Sequence, residues 1–178
     1  MKFKHAILLL LVLFTINLCV NSCKKVDTRK ANIEALFTNG TWQLASVIVL
    51  NYVGSTELTP VHADSLNTMC DSTQLFTFAS NGTCSYTNFD CLPQPKGTGL
   101  WTLSNDNVTL YSTVACKDTL KGGVINPNTA MPFATAKIVN LGQYSMILQT
   151  GDINTYYTPT TKRIIVQYGF IRQTKNGN

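Results

Sequence analysis

The sequence predicts an all-β chain, an up-and-down antiparallel β-barrel of about eight strands preceded by one short N-terminal helix. Three observations predict it. From Thr41 onward, runs of β-branched and aromatic residues alternate with clusters of Asn, Gly, Pro and Ser, the pattern of short strands separated by turns. Most of those separations are short: Ser80-Asn81-Gly82, Ser104-Asn105-Asp106-Asn107 and Leu141-Gly142-Gln143 each join two such runs. Successive hairpins of this kind favour a meander that closes on itself over a sandwich. Finally, the phrase Gly-x-Trp-x-Leu opens a strand twice, at Gly40–Leu44 and at Gly99–Leu103, with no fixed period between or beyond, so the chain is not a solenoid.

The elements follow in order. Met1 to His5 is short and basic, and Ala6 to Val20 is an apolar run of about 15 residues, short of the roughly 20 that a spanning helix needs. With small residues behind it, this reads as a secretory signal. Val20-Asn21-Ser22-Cys23 is similar to the lipobox of bacterial lipoproteins, which implies cleavage before Cys23 and lipidation there. Cys19 is the poorer candidate because bulky Leu18 precedes it. Residues 1–22 are thus expected to be the signal, 23–30 a polar tether, and 31–178 the barrel domain. Removing the signal leaves roughly 150 residues, enough for one domain with a real core.

Arg29 to Phe37 places Ile33, Leu36 and Phe37 at helical spacing, and Asn39-Gly40 stops the helix. The first strand, Thr41 to Asn51, alternates Trp42, Leu44, Ser46, Ile48 and Leu50 against Gln43, Ala45, Val47, Val49 and Asn51. Ser55 to Met69 is expected to be an irregular crossing loop. A hairpin follows at Asn81-Gly82. With Gly82 in a left-handed bulge position, Phe78 faces Cys84 and Phe76 faces Tyr86; a two-residue turn instead shifts the register by one. Leu100 to Val114 is a second hairpin, Ala115 to Pro132 a long loop, Phe133 to Gly151 a third hairpin, and Lys162 to Arg172 a final alternating strand.

Six cysteines are present. Setting aside Cys19 and Cys23, an even number remains, which in an exported chain reads as two disulfides. Both hairpin registers bring Cys70 to Cys91; Cys84 and Cys116 then pair by elimination. No C-x-x-C spacing exists, and His62 is the one histidine beyond the signal, so no metal and no cofactor are expected.

The formal net charge is +5 and falls once Lys2 and Lys4 leave with the signal, too mild and scattered for nucleic acid. Lys24, Lys25, Arg29 and Lys30 cluster beside the lipid site, where they suit a tether near anionic headgroups. His62 and Asp64 sit two apart without a nucleophile motif, Gly122-Gly123 lacks the residues of a phosphate loop, and the acids share no spacing. Enzyme activity is not expected.

The lipobox, helix, Gly40-Thr41-Trp42, Phe78/Gly82/Thr83, Gly99/Trp101/Leu103 and Ile138/Leu141/Met146/Leu148, in that order, resemble the lipocalin-like lipoproteins of Bacteroidetes-type envelopes over almost the whole mature chain. Met146 stands where that pattern has leucine. The resemblance implies a calycin-type barrel, closed at one end by Gly40 and Trp42, and a small apolar or amphipathic ligand. Lining candidates are Phe76, Phe78, Trp101, Leu103, Met146, Leu148, Tyr168 and Phe170. It further implies a monomer anchored in the cell envelope through its N-terminal lipid. The chain is expected to face the periplasm, because no acidic run follows Cys23. The second reading is an envelope interaction protein that holds another protein or a glycan through its Thr- and Asn-rich loops.

Overall fold

The computed structural model describes residues 25–58, 62–64, 73–119, 125–153 and 156–173. The chain divides into two units, Met1–Glu34 and Ala35–Asn178. In the first, the backbone is helical from Lys25, the start of α1 (Lys25–Thr38), so the helix begins within the expected tether, ahead of Arg29. Cys23 and the signal lie outside the described residues. The last turn of α1 belongs to the second unit and runs directly into the barrel.

The strands are β1 (Thr41–Val53), β2 (Thr56–Glu57), β3 (His62–Asp64), β4 (Leu75–Phe78), β5 (Thr83–Thr87), β6 (Gly97–Leu103), β7 (Thr109–Ser112), β8 (Cys116–Thr119), β9 (Ile125–Ala130), β10 (Ala136–Leu141), β11 (Ser145–Gly151) and β12 (Lys162–Gln173). Eight of them form the closed antiparallel barrel, in the order β1-β4-β5-β6-β7-β10-β11-β12, with β12 pairing back onto β1. That is the up-and-down antiparallel barrel the hairpins predict.

The closing seam is the longest pairing, twelve residue pairs from Thr41↔Gln173 to Val53↔Lys162. It contains a bulge between Leu44 and Ser46, where one extra residue shifts the alternation. Beyond it Val47 and Val49 pair with Tyr168 and Val166, so they share the face of the inward Tyr168 ring. The alternation expected for Ser46, Ile48 and Leu50 is therefore reversed. Gly169 lies against the bulge, where a Cβ would come within 2.4 Å of Ser46 Oγ and oblige that hydroxyl to turn away.

The β4–β5 hairpin has the bulged register: Phe78 pairs with Cys84 and Phe76 with Tyr86, and Gly82 has a φ of +80°. Two expected loops carry strands instead. Part of Ser55–Met69 forms β2 and β3, which pair with β1. Ala115–Pro132 contains a separate two-stranded sheet, β8 with β9.

Before reaching β8, the chain leaves β7 and crosses the inner face of β6 at its two glycines. A Cβ on Gly99 would meet Val114 N at 2.4 Å, and one on Gly97 would meet Ala115 O at 2.6 Å and Cys116 Sγ at 3.0 Å. Gly97 and Gly99 thus allow backbone to pack on backbone, and Val114 and Cys116 are buried there. Gln94 braces this crossing, donating to Phe89 O and Lys117 O and accepting from Lys117 N at 2.7 Å.

Candidate functional site

The helix end is built around Trp42. Asn39-Gly40 ends α1, and Gly40, at a φ of +115°, turns the chain into β1 through a backbone conformation that suits glycine. The Trp42 ring is fully buried, and its Nε1–H donates to Phe37 O at 3.0 Å. Across the seam its partner is Arg172, whose guanidinium lies 4.4 Å above the ring centroid. The same guanidinium donates to Leu36 O and Asn39 O. A cation on carbonyls at a helix C-terminus also meets the negative end of the helix dipole. Burial lowers the Arg172 pKa from its ordinary value, and the ring and the two carbonyls hold the cation. A cavity of about 710 Å3 with a mixed polar and apolar lining opens beside this joint, lined by Gly40, Thr77, Phe78, Gln143, Tyr144 and Arg172 among others. Trp42 does not line it.

The interior is filled with rings. Among the expected lining residues, Phe76, Phe78, Leu103, Met146, Leu148 and Phe170 are buried, and the aromatic ones pack on one another. Phe76 lies 4.2 Å from Phe78 and 6.1 Å from Phe170, centroid to centroid. Four rings that sequence reasoning did not place in the lumen complete the cluster: Phe37, Tyr86, Phe89 and Phe133. Phe133 contacts Phe76 at 4.9 Å, Tyr86 at 5.6 Å and Tyr168 at 5.0 Å. The Tyr86 hydroxyl donates to Gln74 Oε1 at 3.1 Å, so a buried phenol is satisfied by a buried amide. Burial pushes the Tyr86 pKa well up and that of Tyr168 up to about 12; both remain neutral phenols at ordinary pH. Most of the expected ligand-lining set is therefore buried in the barrel interior, and Phe78 also lines the cavity at the helix end.

The cysteines correct one expectation. Cys84 and Cys116 are both free and buried. Cys84 Sγ sits 3.3 Å from Ser112 Oγ, and Cys116 Sγ rests over Gly97. Elimination assumed that every exported thiol pairs; these two instead pack as small apolar groups on the glycine face of β6. Burial pushes both thiols up, Cys116 to about 11, which leaves them protonated and unreactive. Cys91 is not one of the free thiols, and Cys70 lies outside the described residues.

Trp101 is a second expected lining residue that meets an open space. It is mostly buried, and its Nε1–H donates to Ala79 O at 2.9 Å, so its polar edge is satisfied. Its cross-strand partner is the small Ser112. Next to it, Leu100 on β6 is 61% exposed, and Tyr111 on β7 and Met131 after β9 are also exposed. With Trp101 and Ala134 they line a groove of about 470 Å3 on the barrel wall, edged by Thr102, Thr113 and Asn81. The volume lies within the roughly 300–1,000 Å3 usual for small-molecule sites. The lining is aromatic, aliphatic and thioether, with hydroxyl and amide groups at the rim. Such a lining holds an apolar body and orients a polar end; it does not activate a nucleophile. Among the described residues no three His, Cys, Asp or Glu side chains come together as metal ligands.

No protein-family model matches the chain, and no curated protein matches it. What the coordinates define is a class, a closed eight-stranded lipocalin-like barrel with a packed lumen and a lateral apolar groove.

Proposed function

We propose that the protein is a non-enzymatic, lipid-anchored envelope protein of the lipocalin-like lipoprotein type, which holds one small apolar or amphipathic molecule against Trp101. The observation that carries the binding reading is the 470 Å3 groove beside Trp101, with exposed Leu100, Tyr111 and Met131 around it. Exposed apolar side chains gathered around a concavity mark a binding surface more often than scattered ones do. The ring-filled lumen moves the proposed site from the barrel interior to its wall. Anchoring rests on the lipobox at Val20–Cys23, and a Cys70–Cys91 bridge rests on the sequence reading of the Asn81-Gly82 hairpin, whose pairing runs from Phe78↔Cys84 to Leu75↔Thr87.

Native mass spectrometry of the detergent-extracted protein tests the central claim, with a co-purifying small molecule expected. An apolar fluorescent dye supplies the second readout: its titration should quench Trp101, and Leu100→Ser should weaken its binding. A dye that binds the Leu100→Ser protein as well as wild type would sink the groove assignment. Mass analysis of the N-terminus should give a diacylated or triacylated Cys23, and non-reducing peptide mapping should link Cys70 to Cys91.

A further inference from the structure

We propose that the turn joining β11 to β12 carries a second binding surface, specific for a neutral carbohydrate and built on Tyr156 and Tyr157. Isolated exposed aromatics are ordinary on protein surfaces; here two adjacent rings stand on a braced platform. Tyr156 is 93% exposed and Tyr157 is also exposed. The turn beneath them is closed by its own hydroxyls: Thr158 N donates to Thr161 Oγ1 at 3.0 Å, Thr161 N donates to Thr158 O at 3.1 Å, and the two hydroxyls lie 2.6 Å apart.

The turn is locked onto the one that follows β1. Gly54 N donates to Thr161 O at 2.9 Å, and Gly54 lies so close that a Cβ would meet Pro159 O at 2.6 Å. Arg163 stands between two tyrosines, 3.8 Å from the Tyr157 centroid and 5.1 Å from that of Tyr52, while its Nη2 donates to Gly54 O at 2.8 Å. Tyr52 is held in turn by its hydroxyl on Glu57 at 2.9 Å. Tyr157, fixed in this way, loses little freedom when a partner arrives, and Tyr156 beside it presents a fully open face.

The chemistry of the surround selects the partner. A sugar ring presents a face of C–H groups that stacks on an aromatic plane, and an edge of hydroxyls that bond to carboxylates, guanidinium groups and other hydroxyls. All of these are present: the Tyr156 and Tyr157 rings, the Glu57 carboxylate, the Arg163 guanidinium and the hydroxyls of Thr158 and Thr160. The charges cancel, Lys162 and Arg163 against Glu57 and Asp152. The surface therefore lacks the net positive charge that a polyanion or an anionic bilayer would require.

Affinity electrophoresis of the detergent-solubilised full chain through gels containing a soluble β-glucan, a xylan, a mannan or a starch tests this. Retardation is expected in at least one gel. It should weaken at least tenfold in Tyr156→Ala and persist in Tyr156→Trp, which keeps a stacking face. Thermal melting of Tyr156→Ala should match wild type, because so exposed a ring supports little of the fold. Migration unaffected in all four gels, or retardation equal in wild type and Tyr156→Ala, would overturn the proposal. Tyr156-dependent binding to phosphatidylglycerol vesicles would overturn it in favour of a membrane surface. None of these results bears on the Trp101 groove, which the dye titration tests separately.

Discussion

Trp42 and Trp101 sit in the same local phrase, Gly-x-Trp-x-Leu, and both donate their indole N–H to a backbone carbonyl. Their neighbours across the sheet differ. Trp42 lies between Phe76 on one side and Arg172 on the other, and the arginine covers its ring. Trp101 faces Ser112, too small to cover an indole, and the residue before it is the exposed Leu100 rather than Thr41. The motif aims a ring inward in both places; the cross-strand partner decides whether that ring is sealed or borders a groove. One phrase therefore serves closure at the helix end and leaves a binding-sized space on the wall.

The largest expected effect separates the two tryptophans. Trp42→Ala should cost about 3–5 kcal/mol, as for other large-to-small changes at fully enclosed sites. Trp101→Ala should cost less, because part of its void joins the open groove, and should reduce dye binding more than Trp42→Phe does. Denaturant melts of both alanine variants decide it; equal losses, or a Trp42→Ala protein that melts like wild type, would break the comparison. Arg172→Met comes next. It keeps an apolar stem over the indole but leaves two carbonyls without their donor, and should cost about 2 kcal/mol. If Trp42 is sealed by packing alone, this variant will melt like wild type.

A third effect appears at alkaline pH. An unfolded cysteine ionises near 9, whereas native Cys116 holds its proton to about 11. Between those values the native chain keeps a proton that the unfolded chain has lost, so stability is level below pH 9 and falls as pH rises through this window. Tyr168, pushed to about 12 by burial, acts in the same direction above pH 10. Melting temperature followed from pH 8 to 11 should show the decline, and Cys116→Ala should flatten its first part. A decline just as steep in that variant would show that the buried thiol is not its source. The smallest stability effect is expected at the groove: Leu100→Ser should change stability by no more than about 0.5 kcal/mol yet weaken dye binding about fivefold, the order expected from one lost aliphatic contact.

The barrel itself was legible because its hairpins are local. Asn81-Gly82 sets the β4–β5 register, and the turns at Ser104–Asn107 and Leu141–Gln143 divide the strands as observed. The bulge at Ala45 was not legible, because apolar residues continue at Val47, Ile48 and Val49 on both faces and the alternation reads as unbroken. Phe133 was read as the start of a hairpin, but nothing local aims its ring into the lumen after Met131-Pro132, and a Pro within β9 argued against a strand there. Arg172 carries no signal of its own; only the register of the last strand against the first brings it to Trp42. The groove at Trp101 could not be read in advance because it depends on Met131 and Ala134, which follow a segment that looks like loop. Elimination misplaced Cys84 and Cys116 because counting thiols says nothing about the glycine strip beneath them.

The β1–β12 seam joins the first strand of the barrel to the last, with partners as distant as Thr41 and Gln173. Every earlier hairpin can zip up between sequence neighbours, but this ladder must wait until almost the whole polypeptide is available. High sequence separation of this kind slows folding. Until the seam closes, the edges of β1 and β12 are unpaired strand templates open to other chains, and the Trp42 indole lacks its arginine cover until β12 docks. The interval before β12 pairs is therefore when this protein is most exposed to aggregation, and the twelve residues of Lys162–Gln173 are what end that exposure.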